Sequence, residues 1–285
     1  MTSRTRLFES ATGLVERVEC RSPQRSVTAE DFSPDFQVAF PYRGGFVWHV
    51  GPDAVMSDPN QVLFVKGGEP FRIGGPRPDG FGEVIITPAQ AILRDLSEAA
   101  GFDLERHPLF AARSRRATPD LQRRCAQFLH RVADPDGSHD LGSDEALISL
   151  LREALRLEPP STPASPKTRR LIRRAKAFLD AHFTDRLQLS DVADAVGASP
   201  VYLTDVFRRF EGISLQRYVT QLRLARALME LPHSTEITHL ALDLGFSSHS
   251  HFTLAFRRAF GCTPSEFRRK TRRRVEPPEL ARLSA

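Results

Sequence analysis

The sequence predicts an α+β protein with a β-rich N-terminal part and an all-helical C-terminal part. Residues 36–86 hold short apolar runs separated by glycine and proline turns, a pattern typical of a small β-barrel or sandwich. Over residues 168–274, apolar residues recur at helical spacing instead. Residues 158–167 contain four prolines, so we expect a linker there and a first domain over residues 1–157.

The composition is that of a globular protein in a reducing compartment. A chain of 285 residues is long enough for two cores, and it contains no run of about 20 apolar residues to span a bilayer. The N-terminus lacks the apolar core of a signal peptide. Cys20, Cys125 and Cys262 are odd in number and far apart, which favours free thiols over a disulfide framework. We therefore expect a cytoplasmic protein with no membrane partner.

The positive charge is concentrated in the helical part. Residues 167–285 carry 21 Lys and Arg against 12 Asp and Glu, whereas residues 1–166 carry 19 against 23. Because the excess coincides with the helical pattern, it favours a phosphate-binding face. The alternative is a charged surface that only keeps the domain solvated.

The β-rich part predicts a barrel over about residues 14–86. Residues 1–34 are polar, with one candidate edge strand at Leu14–Val18. Turn residues such as Gly44 and Gly45 divide the rest into short strands. The candidate strands are residues 36–42, 46–50, 61–66, 71–73 and 83–86.

Three amphipathic helices are expected over about residues 88–157. Thr87-Pro88 opens a helix to about residue 100, and Thr118-Pro119 opens another that ends near residue 133. Ser143 is the expected N-cap of a third helix over residues 144–157. Their apolar faces either cover the barrel or contact another chain.

Two stretches of the helical part, residues 189–218 and 235–267, repeat each other. Caps, core residues and glycine stops align at an offset of 48 and then 49 residues, an agreement that chance rarely supplies. The aligned pairs are Val192 with Leu240, Gly197 with Gly245, Ser199 with Ser247, Phe207 with Phe256, Gly212 with Gly261, and Tyr218 with Phe267.

Each copy predicts two short helices joined through a glycine turn, the pattern of a helix-turn-helix unit. In the later copy, Thr235 and Ser247 are the expected N-caps, and Thr263 forms a capping box with Glu266. A longer helix from Leu215 to about residue 231 joins the copies, and another over about residues 168–182 precedes them.

Residues 171–269 resemble the DNA-binding domain of the AraC/XylS family of bacterial transcription regulators. The resemblance rests on Leu189, Val192-Ala193, Gly197, Ser199-Pro200, Tyr202-Leu203, Phe207-Arg208-Arg209, Gly212, Tyr218, Arg223, Ala241, Leu244-Gly245-Phe246-Ser247, Phe252, Ala255-Phe256, Phe260-Gly261 and Thr263-Pro264-Ser265-Glu266-Phe267-Arg268. It implies seven helices in two subdomains, with the long middle helix as a rigid spacer. It also implies a sequence-specific DNA-binding transcription regulator, with double-stranded promoter DNA and RNA polymerase as partners.

The β-rich part resembles, with less specific motifs, the cupin-like regulatory barrel of the same family. This implies that residues 1–157 respond to a small-molecule effector or control dimerisation. In relatives the helices after the barrel often form the dimer contact, so we expect a homodimer through residues 119–157. The alternative is that these helices merely cover one end of the barrel.

The first recognition helix, the helix expected to enter the major groove, spans residues 200–210. Its candidate DNA-binding residues are Val201, Tyr202, Thr204, Asp205, Arg208 and Arg209. The resemblance implies base contacts from Val201, Thr204 and Asp205. Asp205 stands where relatives often carry Arg; it either accepts a hydrogen bond from a cytosine amino group or pairs with a nearby Arg.

The second recognition helix spans residues 248–260. Its candidate DNA-binding residues are Ser248, His249, Ser250, Thr253, Leu254, Arg257 and Arg258. The resemblance implies base contacts from His249, Ser250, Thr253 and Leu254. Leu254 stands in place of the usual Arg and would contact a thymine methyl group. The arginines late in both helices are expected to contact phosphates. Two such helices on one spacer should enter major-groove segments about 34 Å apart.

Four residues of the β-rich part are effector candidates. Arg43, Trp48, His49 and Arg72 fall on candidate strands or beside them, and surface or core packing is the alternative for each. Cupin metal sites need clustered His with a Glu, and Trp48-His49 followed by Asp53 does not supply that set. We expect no metal and no cofactor.

Three other functions are compatible with parts of the sequence. A thiol-based redox-sensing regulator would use Cys20, beside Arg21, whereas Cys125 falls on an apolar helix face and is expected to be inert. A non-specific architectural DNA-binding protein would not need the sizeable N-terminal part. The chain has no Cys-x-x-Cys pair and no phosphate-binding glycine loop, so we expect that it is not an enzyme.

Overall fold

The computed structural model describes residues 2–21, 27–74, 80–100, 113–133, 141–156 and 165–272. Within these ranges the chain forms ten strands and ten helices. The strands are β1 (Thr2–Ser10), β2 (Gly13–Cys20), β3 (Asp31–Phe32), β4 (Gln37–Arg43), β5 (Phe46–Val50), β6 (Asp53–Ser57), β7 (Gln61–Val65), β8 (Pro70–Gly74), β9 (Phe81–Pro88) and β10 (Ser114–Arg116).

The helices fall into an N-terminal group of three and a C-terminal group of seven. They are α1 (Gln90–Ala100), α2 (Pro119–Val132), α3 (Leu141–Ala154), α4 (Pro166–Ala181), α5 (Leu189–Val196), α6 (Pro200–Glu211), α7 (Leu215–Glu230), α8 (Ile237–Asp243), α9 (His249–Phe260) and α10 (Pro264–Arg272). None of these ten, over the ranges given above, is long and apolar enough to cross a bilayer. Residues 158–164, most of the predicted linker, lie outside the described residues.

The strands form two antiparallel sheets. One has the order β1-β2-β9-β4-β7-β10 and the other β3-β8-β5-β6. Alternate residues of the six-stranded sheet point to opposite faces, and both faces are buried. Leu63 and Ile85 pack towards the second sheet with Trp48. Phe64 and Ile86 pack on the other face, where helices α1 to α3 complete the core.

The expected closed barrel is not formed by the described strands. The chain leaves the six-stranded sheet after β4, turns at Gly44 with a φ of 63°, and enters the second sheet as β5. Among the described strands, none pairs with a strand of the other sheet, so these strands form a pair of stacked open sheets. The coarser prediction of a mixed α and β protein is confirmed.

Several boundaries differ from the sequence prediction. Strand β1 was not predicted because its residues are polar, and among them only Phe8 is buried. Strand β6 was also missed, although it follows β5 after a two-residue turn. Thr87 and Pro88 end β9, and helix α1 begins two residues later. Ser143 does not cap α3 but lies inside it, buried.

The C-terminal helices contain two cores that share α7. Helices α4, α5 and α6 pack against the first half of α7, including Tyr218 and Leu222. Helices α8, α9 and α10 pack against its second half, including Leu224 and Leu228. The predicted pair of repeated helical units on one long helix is therefore confirmed.

Helix α2 lies between the sheets and the C-terminal helices. One side of it, with Leu121 and Phe128, belongs to the core on the six-stranded sheet. Its other side places Ala126 in the core formed by α7, α8 and α9. The helices after the sheets therefore cover the six-stranded sheet, and α2 also contacts the C-terminal helices. A dimer contact through residues 119–157 stays a prediction.

Glu83 on β9 is a buried carboxyl group with an uncompensated oxygen. It is 5% exposed, and within the described part of the chain its Oε2 has no hydrogen-bond partner. Burial raises the pKa of Glu83 to about 7, and the nearby Arg4 opposes this change only in part. The fold therefore favours the protonated form.

We expect Glu83→Gln to raise the free energy of unfolding at pH 8 but to have little effect at pH 5. Because the pKa is higher in the folded than in the unfolded state, the stability contributed by the bound proton is present at acidic pH and is lost as the pH rises through about 7. The gain at pH 8 is expected to reach about 3 kcal/mol. Urea unfolding at the two pH values measures it.

The matched control is Glu98→Gln, which removes an exposed carboxylate on α1. It should leave the free energy of unfolding nearly unchanged at both pH values. A Glu83→Gln effect of equal size at pH 5 and pH 8 would contradict the titration argument.

Candidate nucleic-acid interface

The first helix-turn-helix unit consists of α5 and α6. Gly197 ends α5 in the left-handed conformation, with a φ of 70°. Ser199 then caps α6 by accepting a hydrogen bond from the Tyr202 N–H at 3.3 Å. Leu203 and Phe207 are fully buried, so the opposite side of α6 faces solvent.

The exposed side of α6 begins with apolar and aromatic groups. Val201 is 80% and Tyr202 is 47% exposed. The Thr204 hydroxyl donates to the Val201 carbonyl at 2.9 Å, so part of its hydrogen-bonding capacity is used inside the helix. Asp205 accepts a hydrogen bond from Arg209 at 2.8 Å. This ion pair agrees with the alternative in which Asp205 pairs with a nearby arginine, and its base contact stays a prediction.

The second unit, α8 and α9, is one residue longer in its turn. Gly245 has a φ of 82°, and Ser248 caps α9 by accepting a hydrogen bond from the His251 N–H at 3.1 Å. The predicted cap Ser247 instead shares a hydrogen bond with His251 Nδ1. The extra residue that changes the repeat offset from 48 to 49 explains this shift.

Helix α8 also starts one residue later than expected. Glu236, rather than Thr235, occupies the N-cap position, and it makes no side-chain capping hydrogen bond. By contrast, the predicted capping box before α10 is present. The Thr263 N–H donates to Glu266 at 2.8 Å, and the Glu266 N–H donates to the Thr263 hydroxyl at 3.2 Å.

The exposed side of α9 is more polar than that of α6. His249 and Ser250 are exposed in its first turn, and Leu254 is 49% exposed one turn later. Thr253 is half-buried, and its hydroxyl oxygen is shielded from solvent, so it points away from the exposed side. An imidazole and a serine hydroxyl can each donate and accept hydrogen bonds at base edges.

Four arginines occupy the last turns of the two helices. Arg208, Arg209, Arg257 and Arg258 are all exposed. They lie about two turns from the capping residues, beyond the first-turn side chains, which suits contacts to phosphates flanking a groove. Only Arg209 has a carboxylate partner among the ion pairs found for these four in the described residues.

Arg223 fixes one helix-turn-helix unit relative to the other. From α7, its guanidinium donates to the carbonyl oxygens of Phe183 at 2.6 Å, Asp185 at 2.9 Å and Gly245 at 2.5 Å. The first two carbonyls follow α4, and the third lies in the turn before α9. Arg223 was among the residues carrying the family resemblance, but its role was not predicted because all three partners are distant in sequence.

The effector candidates do not share one site in this structure. Trp48 is 3% exposed in the core between the sheets, and Arg43 lies on the other sheet, 3.3 Å from Glu19. His49 and Arg72 are cross-strand neighbours on the outer face of the second sheet. Burial, followed by the charges of nearby arginines, lowers the pKa of His49.

Two cavities are found elsewhere. A cleft of about 400 Å³ lies between α2, α3 and α10. A cavity of about 30 Å³ lies between β4, α2 and α7. Neither is lined by the four effector candidates. Within the described residues, no group of three or more His, Cys, Asp or Glu is placed to hold a metal ion.

The two thiols considered for redox sensing are poorly placed for it. Cys20 and Cys125 are each 7% exposed. Burial raises the pKa of Cys125 to about 12, which keeps it in the unreactive thiol form. Cys20 was the candidate sensor because its sequence neighbours are polar. It is buried because it ends β2 with its side chain in the core between the sheets.

Comparison with known proteins assigns the helical domain. A family model described as a helix-turn-helix domain matches residues 192–270, from α5 into α10. Regulatory protein PocR of Salmonella typhimurium is 35% identical over 120 residues, which cover 42% of this chain and 38% of PocR. Among crystal structures, a Chromobacterium violaceum transcriptional regulator with an AraC-type DNA-binding domain has 30% sequence identity and a TM-score of 0.35. The match covers 40% of this chain and 100% of that one. The chain belongs to the AraC/XylS family.

A longer match is found with another curated protein. The HTH-type transcriptional activator RhaS of Escherichia coli is 31% identical over 150 residues, which cover 50% of this chain and 52% of RhaS. The chain therefore spans about half, or less, of the curated relatives that it matches. The AraC/XylS assignment establishes the helix-turn-helix DNA-binding domain, and the activity of the whole chain is a proposal.

We expect Gly245→Ala to destabilise the protein more than Gly261→Ala. Both glycines have left-handed φ angles, 82° and 73°, so an added Cβ costs roughly 1 to 2 kcal/mol at either position. At Gly245 the Cβ would also collide with the carbonyl oxygen of Thr184 and lie 3.0 Å from the Arg223 guanidinium, whereas Gly261 has open space. Urea unfolding of the two variants measures the difference. Equal losses of stability would contradict the close packing of the turn against Thr184.

Proposed function

We propose that this protein is a sequence-specific DNA-binding transcription regulator. The observation that carries the proposal is the pair of helix-turn-helix units whose first recognition turns, with Val201 on α6 and His249 on α9, are both exposed. The excess of positive charge in residues 167–285 supports it, because phosphate attraction is the sequence-independent part of DNA binding.

The two recognition helices would contribute differently to base recognition. On α9, His249 and Ser250 supply hydrogen bonds, and Leu254 supplies an apolar contact suited to a thymine methyl group. On α6, Val201 is the most exposed group, and Asp205 is held by Arg209. We therefore propose that most hydrogen-bonded discrimination comes from α9, with the arginines late in both helices on phosphates.

The N-terminal part would regulate DNA binding. We propose a domain over residues 1–157 with stacked, cupin-like sheets, followed by a linker over residues 158–167 and the DNA-binding domain over residues 168–274. A small-molecule effector, or dimerisation through residues 119–157, would control DNA binding. The protein would act in the cytoplasm, with RNA polymerase as its partner at a promoter.

Selection from random duplex DNA by the full-length protein tests the proposal. Two recognition helices on one rigid helix should enrich two short boxes about one helical turn apart, roughly 34 Å between centres. Absence of any enriched motif, with binding retained at low salt and lost at moderate salt, would instead support the architectural alternative.

We expect His249→Ala and Arg257→Ala to have different effects. Loss of the imidazole should reduce the discrimination between bases at the position that His249 contacts, by about 1 to 3 kcal/mol. Loss of the guanidinium should weaken all sequences alike and lower the slope of log K against log salt by about one. Binding to the selected site and to its single-base variants at several salt concentrations measures both. A uniform loss in both variants would contradict the assigned roles.

We expect Asp205→Ala to strengthen binding to duplex DNA irrespective of sequence. The change removes a negative charge from α6 and releases Arg209 from its ion pair, so one further cation becomes available to phosphate. The salt slope should steepen by about one. The double variant Asp205→Ala, Arg209→Ala is the control, and it should not show the steeper slope. A weaker and less selective Asp205→Ala variant would indicate that the carboxylate contacts a base.

A further inference from the structure

The N-terminal sheets contact the core of the first helix-turn-helix unit at one residue of α7. The Tyr218 hydroxyl donates to Asp58 Oδ2 at 2.6 Å, and the Asn60 side-chain amide donates to the Tyr218 carbonyl at 3.0 Å. Asp58 and Asn60 form the turn between β6 and β7, and all three residues are fully buried. Each bond joins residues about 160 positions apart, so the contact fixes the turn against the first turn of α7.

This contact continues to the first recognition helix. The Tyr218 ring packs edge-on against Phe207 of α6, with ring centroids 5.3 Å apart. Lys176 of α4 lies over the same ring, and its ammonium group is 3.3 Å from Glu211, the last residue of α6. Their side chains are 7% and 6% exposed. Breaking a buried ion pair leaves an uncompensated charge, so this arrangement resists displacement.

A second contact reaches the other helix-turn-helix unit from α2. His130 Nε2 is 3.0 Å from the Leu228 carbonyl oxygen, so this nitrogen carries the donated proton. The His130 ring also meets Phe267 of α10 edge-on at 6.3 Å. Phe267 packs in turn against Phe256 of α9 at 5.9 Å. Helix α2 is thus linked to the second recognition helix through Phe267, and its Ala126 lies in the same core as Phe256.

The two contacts fall on equivalent positions of the repeat. Tyr218 and Phe267 align with each other in the two copies, as do Phe207 and Phe256. Both members of the first pair are fully buried. The same aromatic pair in each copy therefore links the core of its recognition helix to the N-terminal part, once through Asp58 and once through His130.

Neither contact covers the DNA-facing sides. They lie on the buried faces of the recognition helices, while Val201 on α6 remains 80% exposed and Leu254 on α9 remains 49% exposed. These two contacts therefore leave the exposed side chains of both recognition helices uncovered. The N-terminal part is instead positioned to set the separation and angle of the two units, together with α7.

We propose that the β6–β7 turn and α2 form a brace between the two recognition helices, with Asp58 and His130 as positioning residues for DNA recognition. The brace rests on the proposed function, and it specifies how the N-terminal part acts on DNA binding. A shift of the turn relative to α2 changes the spacing between DNA boxes that the protein prefers. Base preference within each box stays the same, because the exposed side chains are unaltered.

The test uses the full-length protein and a panel of duplexes. Each duplex carries the two selected boxes with the spacer shortened or lengthened by one or two base pairs. The variants are Asp58→Ala and His130→Phe, with Tyr218→Phe as a milder change that removes only the hydroxyl group and keeps the ring. Asp31→Ala, which removes an exposed carboxylate from β3, is the matched control. Thermal unfolding confirms that each variant is folded.

We expect the affinity ratio between the optimal and altered spacers to fall by about tenfold in Asp58→Ala and His130→Phe, the factor that the loss of one buried hydrogen bond supplies. Tyr218→Phe should lower this ratio as well, and the Tyr218→Phe variant provides the test if Asp58→Ala does not fold. The base preference of each box, and the Asp31→Ala profile, should match the wild type. The spacing preference thus separates positioning from a general loss of stability, which would lower affinity for all spacers equally.

Two outcomes overturn the inference in distinguishable ways. A wild-type protein that enriches no two-box motif overturns the proposed function, and the brace with it. A two-box motif whose spacing preference is the same in wild type and variants leaves the proposed function intact and overturns the brace alone.

Discussion

The arginine in the middle of α7 is the constraint from which the arrangement of the C-terminal helices follows. A guanidinium is planar, with donors in fixed directions, so Arg223 can meet three backbone carbonyls in only a narrow range of geometries. The loop after α4 and the turn before α9 are therefore held at a fixed distance. Gly245 completes the constraint, because its missing side chain lets that turn approach the Thr184 carbonyl.

The two helix-turn-helix units have diverged around this shared frame. The first pairs its acidic residue Asp205 with Arg209 and exposes an apolar Val201. The second has one more residue in its turn, is capped by Ser248, and presents an imidazole and a hydroxyl. An internal repeat preserves the buried positions that make the units alike, whereas the exposed side chains differ. The exposed sides of the two units are therefore chemically different.

The helices could be predicted from sequence because their signals are local. Ser199 and the Thr263–Glu266 capping box mark helix starts within four residues, and apolar periodicity identifies the buried faces. The cap at Ser248 was misplaced by one residue because a single inserted residue leaves periodicity intact. Strand β1 was missed because an edge strand needs few buried residues, and its pairing with β2 carries no compositional signal.

The contacts between the two parts of the chain could not be predicted. Asp58 and Tyr218 are separated by 160 residues, and neither stands in a motif that specifies a partner. A carboxylate in a turn is normally expected in solvent, and only the folded chain shows it buried. For the same reason the four effector candidates, chosen by residue type, do not form one site. Residue type predicts which chemistry a side chain can perform, but whether several side chains meet at one site depends on long-range packing.

The placement of Met229 has a consequence for how the protein unfolds. Its side chain packs against both the core on the six-stranded sheet and the core of α8 to α10. Apolar surface shared in this way is exposed to water if either part melts, so each part raises the melting temperature of the other. The two parts should consequently behave as one cooperative unit in calorimetry, with a single heat-absorption peak whose heat-capacity change reflects the unfolding of both parts together. Modularity in sequence, with its repeat and its proline-rich segment, does not imply independence in thermodynamics.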